Sequence, residues 1–379
     1  MAARIGCLGG GQLGRMLALA GYPLGIAMTF LEPQAGSSAG QVADQLVGDY
    51  GDPDLLAELG AHSDLVTFEF ESVPETSTRA LAESCPVFPP PRALLVGQDR
   101  LEEKLLFQRL GIPAAAFVPV DNETGLGPAL ARLGTPSRLK ARRLSYDGHG
   151  QVPVGAVESA PAAYAQLAGV PCLLERDVPF SREVSIIGVR GSGGETAFYP
   201  LVENHHQNSV LRLSLAPAPG LGPALQTQAE GICQAILSDL GYQGVLAVEL
   251  FQVGERLLAN EIAPRVHNSG HWTMDGADTS QFENHLRAGL GWPLGSTKPR
   301  GVSAMINLLG ELPDPRLVLG VPGAHLHLYG KEPRPGRKLG HVNITGSDPR
   351  AVTAATRELG RRLGAQLPEP PDGDSYWAP

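Results

Sequence analysis

Cysteine is scarce: Cys7, Cys85, Cys172 and Cys233 stand far apart in 379 residues and form no CxxC pair. Neither a disulfide framework nor a cysteine-held metal is expected, and a reducing cytoplasm suits the chain. Positive charge is also short. Lys and Arg number 30 against 39 Asp and Glu, a formal net charge of −9, whereas a general nucleic-acid binder needs a basic footprint. No apolar run approaches the length of a membrane span, and the first residues lack a signal-peptide pattern. The Walker A pattern G-x-x-x-x-G-K-[ST] and the zinc motif H-E-x-x-H are both missing. No internal repeat is visible, and the abundant Gly and Pro (47 and 33) gather into no low-complexity tract. What is present is globular. Hydrophobic residues make up 42% of the chain, and its length suggests two or three domains rather than one core.

The densest information lies between Gly244 and Thr273. Gly-Val-Leu-Ala-Val-Glu-Leu-Phe and Leu-Leu-Ala-Asn-Glu-Ile-Ala read as two strands joined at Val-Gly-Glu-Arg. Alternation puts Val245, Ala247, Glu249 and Phe251 on one face, and Leu257, Ala259, Glu261 and Ala263 on another. A turn with an odd number of residues sets Glu249 opposite Glu261. Two neighbouring carboxylates repel unless a cation sits between them, and hard oxygen donors suit Mg²⁺ completed by substrate phosphates. Two acids on a solvated sheet face are the plainer alternative. Arg265, His267, Asn268, Ser269 and His271 then crowd the following segment.

Residues 1 to about 98 alternate strand and helix. Arg4–Leu8, then Gly9-Gly10-Gly11-Gln12-Leu13-Gly14, then a helix to about Ala20 and a strand from Ile26 to Leu31 ending at Glu32 match a dinucleotide fingerprint. An NAD-dependent dehydrogenase is therefore a rival reading, although glycine-rich turns also serve simply to pack a helix on a strand. The strand Leu65–Glu71 carries Glu69 and Glu71 on one face. Phe88-Pro89-Pro90-Pro91 reads as a linker, and a helix follows from Gln98, with Arg100 and Lys104 four residues apart on one face. By composition both read as solvated charges.

Three cations, Lys140, Arg142 and Arg143, precede a glycine-containing loop running to Gln151. Small residues there let backbone N–H groups approach phosphate oxygens that cations neutralise. Leu173–Val178 and Glu183–Ile187 read as two strands around a Pro-Phe turn. Glu203-Asn204-His205-His206 follows a strand, without a Cys or acid at zinc spacing. Gln226–Leu240 is an amphipathic helix of core type, Ser280–Leu290 another, ended by Gly291. Beyond Gly301 the chain turns strand-rich. Lys331, Arg334, Arg337 and Lys338 lie on a stiff Pro/Gly turn that suits a phosphate monoester, and a closing helix spans Thr353–Leu363.

The run Asn260–Thr273, N-E-I-A-P-R-V-H-N-S-G-H-W-T, resembles the signature of the N5-carboxyaminoimidazole ribonucleotide synthetases, ATP-grasp ligases of purine biosynthesis. The resemblance extends over nearly the whole chain. It implies an α/β architecture: a Rossmann-like lobe (1–98) that binds no dinucleotide, an ATP-grasp domain (99–300) and a small strand-rich C-terminal domain (301–379). The implied reaction forms a C–N bond from ATP, bicarbonate and 5-aminoimidazole ribonucleotide by way of carboxyphosphate, with Mg²⁺ or Mn²⁺, in a cytoplasmic homodimer without nucleic-acid or membrane partners.

The resemblance also implies roles. Glu249 and Glu261 hold the metal, with Asn260 beside the nucleotide. Ser145, Tyr146, Asp147, Gly148, His149, Gly150 and Gln151 form the loop over the phosphates, Lys140 touching them from the strand. The family usually has Gly where Ser145 stands and Lys or Arg where His149 stands. Glu175 and Val178 hold adenine, Glu183 the ribose, and Arg100 and His206 reach the nucleotide. Gln12, Leu13, Glu71 (or Glu69), Tyr146 and Asp147 face the imidazole ribonucleotide. Arg265, His267, Asn268 and Ser269 hold bicarbonate or carboxyphosphate, with His267 and Asp147 the candidate bases. Lys331, Arg337 and Lys338 take the ribose phosphate. A formate-using ATP-grasp transformylase and a non-catalytic nucleotide-binding module remain as rivals beside the dehydrogenase.

Overall fold

The computed structural model describes residues 3–143, 150–370 and 373–377. The loop positions Ser145, Tyr146, Asp147, Gly148 and His149 lie outside the described residues. The first lobe is a parallel sheet in the order β3-β2-β1-β4, made of β1 (Arg4–Leu8), β2 (Ala27–Glu32), β3 (Asp44–Val47) and β4 (Leu65–Phe68). Its helices are α1 (Gln12–Gly21), α2 (Pro53–Ala61), α3 (Glu75–Ala82) and α4 (Pro91–Gln98). Ile5 and Cys7 pack with Leu13, Met16 and Leu17 of α1 on one face. Leu8, Leu31 and Phe68 pack with Leu56 and Leu59 of α2 on the other. Burial on both faces explains why β1 reads as an unbroken apolar run. The strand order reverses at β1, which opens a crevice at the C-terminal ends of β1 and β4.

The expected linker at Phe88–Pro91 is only partly a linker. Pro91 is the first residue of α4, where its missing N–H costs nothing. The helix expected from Gln98 is in fact two. Asp99 is extended, caps α5 (Arg100–Arg109) by accepting from Leu101 N, and separates it from α4.

An antiparallel sheet in the order β5-β8-β6-β7 follows, from β5 (Phe117–Val120), β6 (Ser137–Ala141), β7 (Gln151–Val154) and β8 (Cys172–Arg176). One face packs Val120, Leu139 and Leu174 against α6 (Leu126–Leu133) and α7 (Ala160–Gln166). Alternation sends Lys140 and Glu175 to the other face.

The third sheet is nine-stranded, with β9 (Arg182–Arg190), β10 (Thr196–Phe198), β11 (Val202–Gln207), β12 (Val210–Ala216), β13 (Gly244–Val253), β14 (Arg256–Ala263), β15 (Val302–Leu309), β16 (Ala324–Leu328) and β17 (Lys338–Gly346). Its path is β14-β13-β9-β11-β12-β15-β17-β16, with β10 added beside β9. The two strands around the Pro-Phe turn therefore do not pair. β8 belongs to the four-stranded sheet and β9 to the nine-stranded one, so Asp177–Ser181 crosses from one to the other. The C-terminal strands also extend the large sheet instead of forming a separate layer. α8 (Pro223–Asp239) buries Ala229, Ile232, Cys233, Ile236 and Leu237 against it, as its apolar stripe requires. α9 (Thr273–Gly276), α10 (Gln281–Gly289), α11 (Pro315–Leu319) and α12 (Pro349–Arg362) complete the fold. All four cysteines are free and buried, and among the described residues no helix is long and apolar enough to cross a membrane.

Candidate active site

A cleft of about 1420 Å³ lies where the three sheets face one another. Its walls include Gln12 and Leu13 from α1, Lys140 and Glu175 from the four-stranded sheet, Glu249 and Glu261 from β13 and β14, and Lys331 and Lys338 near the C-terminal strands.

Glu249 and Glu261 face each other across β13 and β14, although not by the route expected. The turn has two residues, Gly254 and Glu255, and Val253 pairs with Arg256. A bulge then shifts the register, so that Leu250 pairs with Ala259 and Glu249 with Glu261. Leu257 and Ala259 consequently share the apolar layer of Val248 and Leu250, not the face of Glu261.

The electrostatics of the two acids differ. Burial opposes ionisation of Glu261, but the Arg100 guanidinium, 2.8 Å away, outweighs it and holds the carboxyl below the usual range. Glu249 is pushed up by burial and then by the charge of Glu261. Its neighbour His267 places Nε2 at 3.3 Å, but burial and then the charges of Arg265 and Lys338 hold that imidazole well below its ordinary pKa. The pair thus has spare negative potential and hard oxygen donors. No group of three or more His, Cys, Asp or Glu suited to a metal occurs among the described residues, so an ion held here needs further oxygens from a ligand.

Beside the acids is a buried cation cluster. Lys140 Nζ donates to Glu175 Oε2 at 2.8 Å, and Lys104 Nζ lies 3.5 Å from Glu175 Oε1. Lys104, which by sequence reads as solvated, is 1% exposed. Burial raises the Glu175 carboxyl, but Lys140 and Lys104 prevail and bring it down to about 2. A depressed carboxyl contributes stability that is complete above its unfolded value, near pH 4.5, and is lost as pH falls toward 2. Urea melts should show wild type and Glu175→Gln furthest apart near pH 6, with the gap narrowing steadily as pH falls from about 4.5 toward 2. A gap that stays constant with pH contradicts this reading.

Phe180 and Phe251 stack at 4.6 Å between ring centroids and line the same wall as Val178 and Glu183. Nothing in the local sequence marks this platform, because Phe180 comes from the Asp177–Ser181 crossing and Phe251 from β13. Glu183 Oε2 lies 3.0 Å from His206 Nδ1. Burial lowers the His206 pKa, but the hydrogen bond to Glu183 raises it overall. His205 turns to Glu203 at 3.0 Å. Gln151 and Asn260 also line the cleft, and Gly150 accounts for the first described position after the loop through its carbonyl, which accepts from Ala141 N.

On the far side, Arg265 Nε lies 2.8 Å from Glu71 Oε1 as an ion pair. Asn268 has both its amide atoms buried without a partner among the described residues while lining the cleft, the signature of a group that waits for a ligand. Ser269 departs from its expected place at the substrate. It is fully buried, bonds Ser185 and stands 2.9 Å from His267 Nδ1, so it orients that ring from behind. Lys331 donates to Gln12 Oε1, tying the C-terminal strands to the tip of α1. Arg337 instead donates to Glu332 O and does not line the cleft.

The fingerprint at Gly9–Gly14 does not serve a dinucleotide. Glu69 fills the helix N-terminus, its two carboxylate oxygens accepting from Gly11 N and Gly14 N. That is where a pyrophosphate must sit. Glu32 accepts from Gly10 N, Gln34 N and Tyr50 Oη, so both of its oxygens are engaged within the protein. The dehydrogenase reading fails on this geometry. Sequence reasoning also missed Glu103, whose carboxyl is pushed up to about 8 by burial. In a Glu-Glu-Lys helical run it looks like any solvated charge.

Comparisons with known proteins agree with this geometry. Residues 1–98 match the ribonucleotide synthetase preATP-grasp domain, 105–282 the ATP-grasp domain, and 303–355 the phosphoribosylaminoimidazole carboxylase C-terminal domain. An N5-carboxyaminoimidazole ribonucleotide synthase from Pseudomonas aeruginosa is 48% identical over 356 residues, 94% of this chain and 98% of its own. The crystal structure of N5-carboxyaminoimidazole ribonucleotide synthetase from Thermus thermophilus superposes with a TM-score of 0.92 at 54% identity, covering 96% of this chain and 99% of that one. The Aspergillus clavatus synthase in complex with ADP and 5-aminoimidazole ribonucleotide gives 0.90 at 30% identity, covering 96% and 99%.

Proposed function

The chain belongs to the N5-carboxyaminoimidazole ribonucleotide synthase family of ATP-grasp ligases, and from that premise we propose how its cleft divides the work. The reaction is the ATP-dependent carboxylation of 5-aminoimidazole ribonucleotide to N5-carboxyaminoimidazole ribonucleotide in purine biosynthesis. The carbon source is bicarbonate, whose oxygen attacks the γ-phosphoryl group and displaces ADP to give carboxyphosphate. The exocyclic amine then takes the carboxyl carbon, phosphate leaves, and the amine gives up a proton.

The observation that carries this assignment is the placement of the two acids. Arg100 lies 2.8 Å from Glu261 and His267 Nε2 lies 3.3 Å from Glu249, and Lys140, Arg265 and Asn268 line the same cleft. ATP lies with its purine against the Phe180–Phe251 platform and the backbone near Val178, and its ribose hydroxyls on Glu183. Glu249 and Glu261 are the residues that hold Mg²⁺ (or Mn²⁺), and their hard oxygens fit it. When bound, the ion neutralises charge on the phosphates. Lys140 neutralises the transferring group from the opposite wall, and catalysis is chiefly positioning and charge compensation. Arg265, held by Glu71, and Asn268 orient bicarbonate and then carboxyphosphate. Neutral His267 accepts the amine proton. Gln12, Leu13 and Glu71 face the imidazole ribonucleotide, whose phosphate meets Lys331 and Lys338, with Arg337 adding charge from outside the cleft. The working assembly proposed is a cytoplasmic homodimer, and sedimentation equilibrium should return twice the mass of one chain; a monomer mass contradicts it.

ADP release measured with bicarbonate, with and without the aminoimidazole ribonucleotide, tests the reading. Turnover should require bicarbonate and survive removal of formate. Formate-dependent turnover points instead to a transformylase.

Metal binding should also depend on pH. The raised Glu249 carboxyl keeps its proton above the ordinary carboxylate range, and a cation must displace it. Ligand-free protein therefore loses the stabilising effect of that proton as pH rises, while the gain from metal grows. The thermal shift given by Mg²⁺ and ADP should increase from pH 6 to pH 8. A shift that is flat or falls over that range contradicts the assignment of Glu249.

A further inference from the structure

The register of β14 rests on one extra residue. From the turn, the ladder pairs Val253 with Arg256, Gln252 with Leu257, Phe251 with Leu258 and Leu250 with Ala259. Continued regularly, it would set Asn260 opposite Glu249 and turn Glu261 to the other face, because a one-residue slip inverts every side chain. Instead Asn260 is the bulged residue, and Glu261 takes the place opposite Glu249. A bulge leaves backbone groups unpaired, and a buried one left unmet costs about 1–3 kcal/mol. β14 is an edge strand of the large sheet, so no further strand can supply partners here.

Two consecutive side chains of α5 supply them. Lys104 Nζ donates to Asn260 O at 2.8 Å. Glu103 Oε1 accepts from Ile262 N at 2.6 Å. The contacts fall on either side of Glu261, and both side chains are buried, at 3% and 1% exposure for Glu103 and Lys104. On the near side of the bulge Ala259 N donates to Pro113 O at 2.7 Å, which pins the strand just before it departs from regular register.

We propose that Glu103 and Lys104 are positioning residues that clamp the Asn260 bulge and so hold Glu261 in register with Glu249. The proposal rests on the reading of these two acids as the metal pair. The clamp does not touch substrate or metal. It acts by fixing the backbone from which Glu261 projects, and helix α5 thereby sets the spacing of two carboxylates on another element. Lys104 also faces Glu175, so Glu103 offers the cleaner test.

Two conservative variants separate geometry from charge. Glu103→Gln keeps an oxygen that can accept from Ile262 N and loses the carboxylate. Glu103→Asp keeps the carboxylate but is one methylene too short to reach. The measurement is the Mn²⁺ dissociation constant by electron paramagnetic resonance with ADP saturating, alongside thermal melts and amide hydrogen exchange of the 256–263 segment. Glu103→Gln should bind Mn²⁺ within about twofold of wild type. Glu103→Asp should bind at least about tenfold more weakly and exchange faster in that segment. Wild-type affinity in Glu103→Asp, or an equal loss in Glu103→Gln, overturns the clamp. If Glu103→Asp fails to melt cooperatively, the Gln variant decides alone. Glu261→Gln is the control: unchanged Mn²⁺ affinity there defeats the metal reading itself, whereas its loss with a normal Glu103→Asp defeats only the clamp.

Discussion

Glu261→Ala is expected to lower the rate of ADP formation by about three orders of magnitude, the scale of removing a group that stabilises developing charge. Its melting temperature should stay within a few degrees of wild type. The carboxylate faces the cleft with 37% of its side chain open, so its removal leaves no cavity in a core. Arg100, its 2.8 Å partner, retains the charge of Glu175 nearby. Glu261→Gln should be nearly as damaging, since it keeps the shape and removes the charge. Steady-state ADP release and a thermal melt on the same preparations check both. A variant that turns over within tenfold of wild type would show that Glu261 is not a metal ligand.

Lys140→Met should cost both activity and stability. Lys140 is 6% exposed, and burial lowers its pKa against the opposing pull of Glu175. Methionine retains most of the stem, so packing survives. What goes is one of two cations facing Glu175. Breaking a buried pair typically costs about 3–5 kcal/mol, and Lys104 at 3.5 Å should hold the loss to the lower end. The rate should fall about 10²- to 10³-fold. The double variant Lys140→Met with Glu175→Gln separates the two effects. Stability should recover only in part, because Lys104 still faces the lost carboxylate, while the rate stays low. Recovery of both would make Lys140 structural only.

Much of this was legible in the sequence, for reasons that differ by element. β1 and α1 were readable because burial on two faces and a 3.6-residue stripe leave a local pattern. The acids Glu249 and Glu261 were readable because carboxylates interrupt apolar strands. The facing of those two acids was reached for the wrong reason, since a two-residue turn plus a bulge gives the same pairing as an odd turn. A bulge at Asn260 has no local signature: it is held by Glu103 and Lys104, more than 150 residues away. Long-range pairing likewise hid the Phe180–Phe251 stack and the capping of α1 by Glu69. Ser269 was misplaced because residues in a polar run look alike until burial is known. Arg337, beside Lys338 in the same turn, could not be distinguished from it by charge alone.

The most direct test of the metal assignment is a crystal of the protein with Mn²⁺ and ADP, with the ion located by its anomalous signal. The ion should lie about 2.2 Å from a carboxylate oxygen of both Glu249 and Glu261, with the nucleotide's phosphates completing its shell. An ion bound only by phosphates, or by other side chains remote from these two acids, would contradict it.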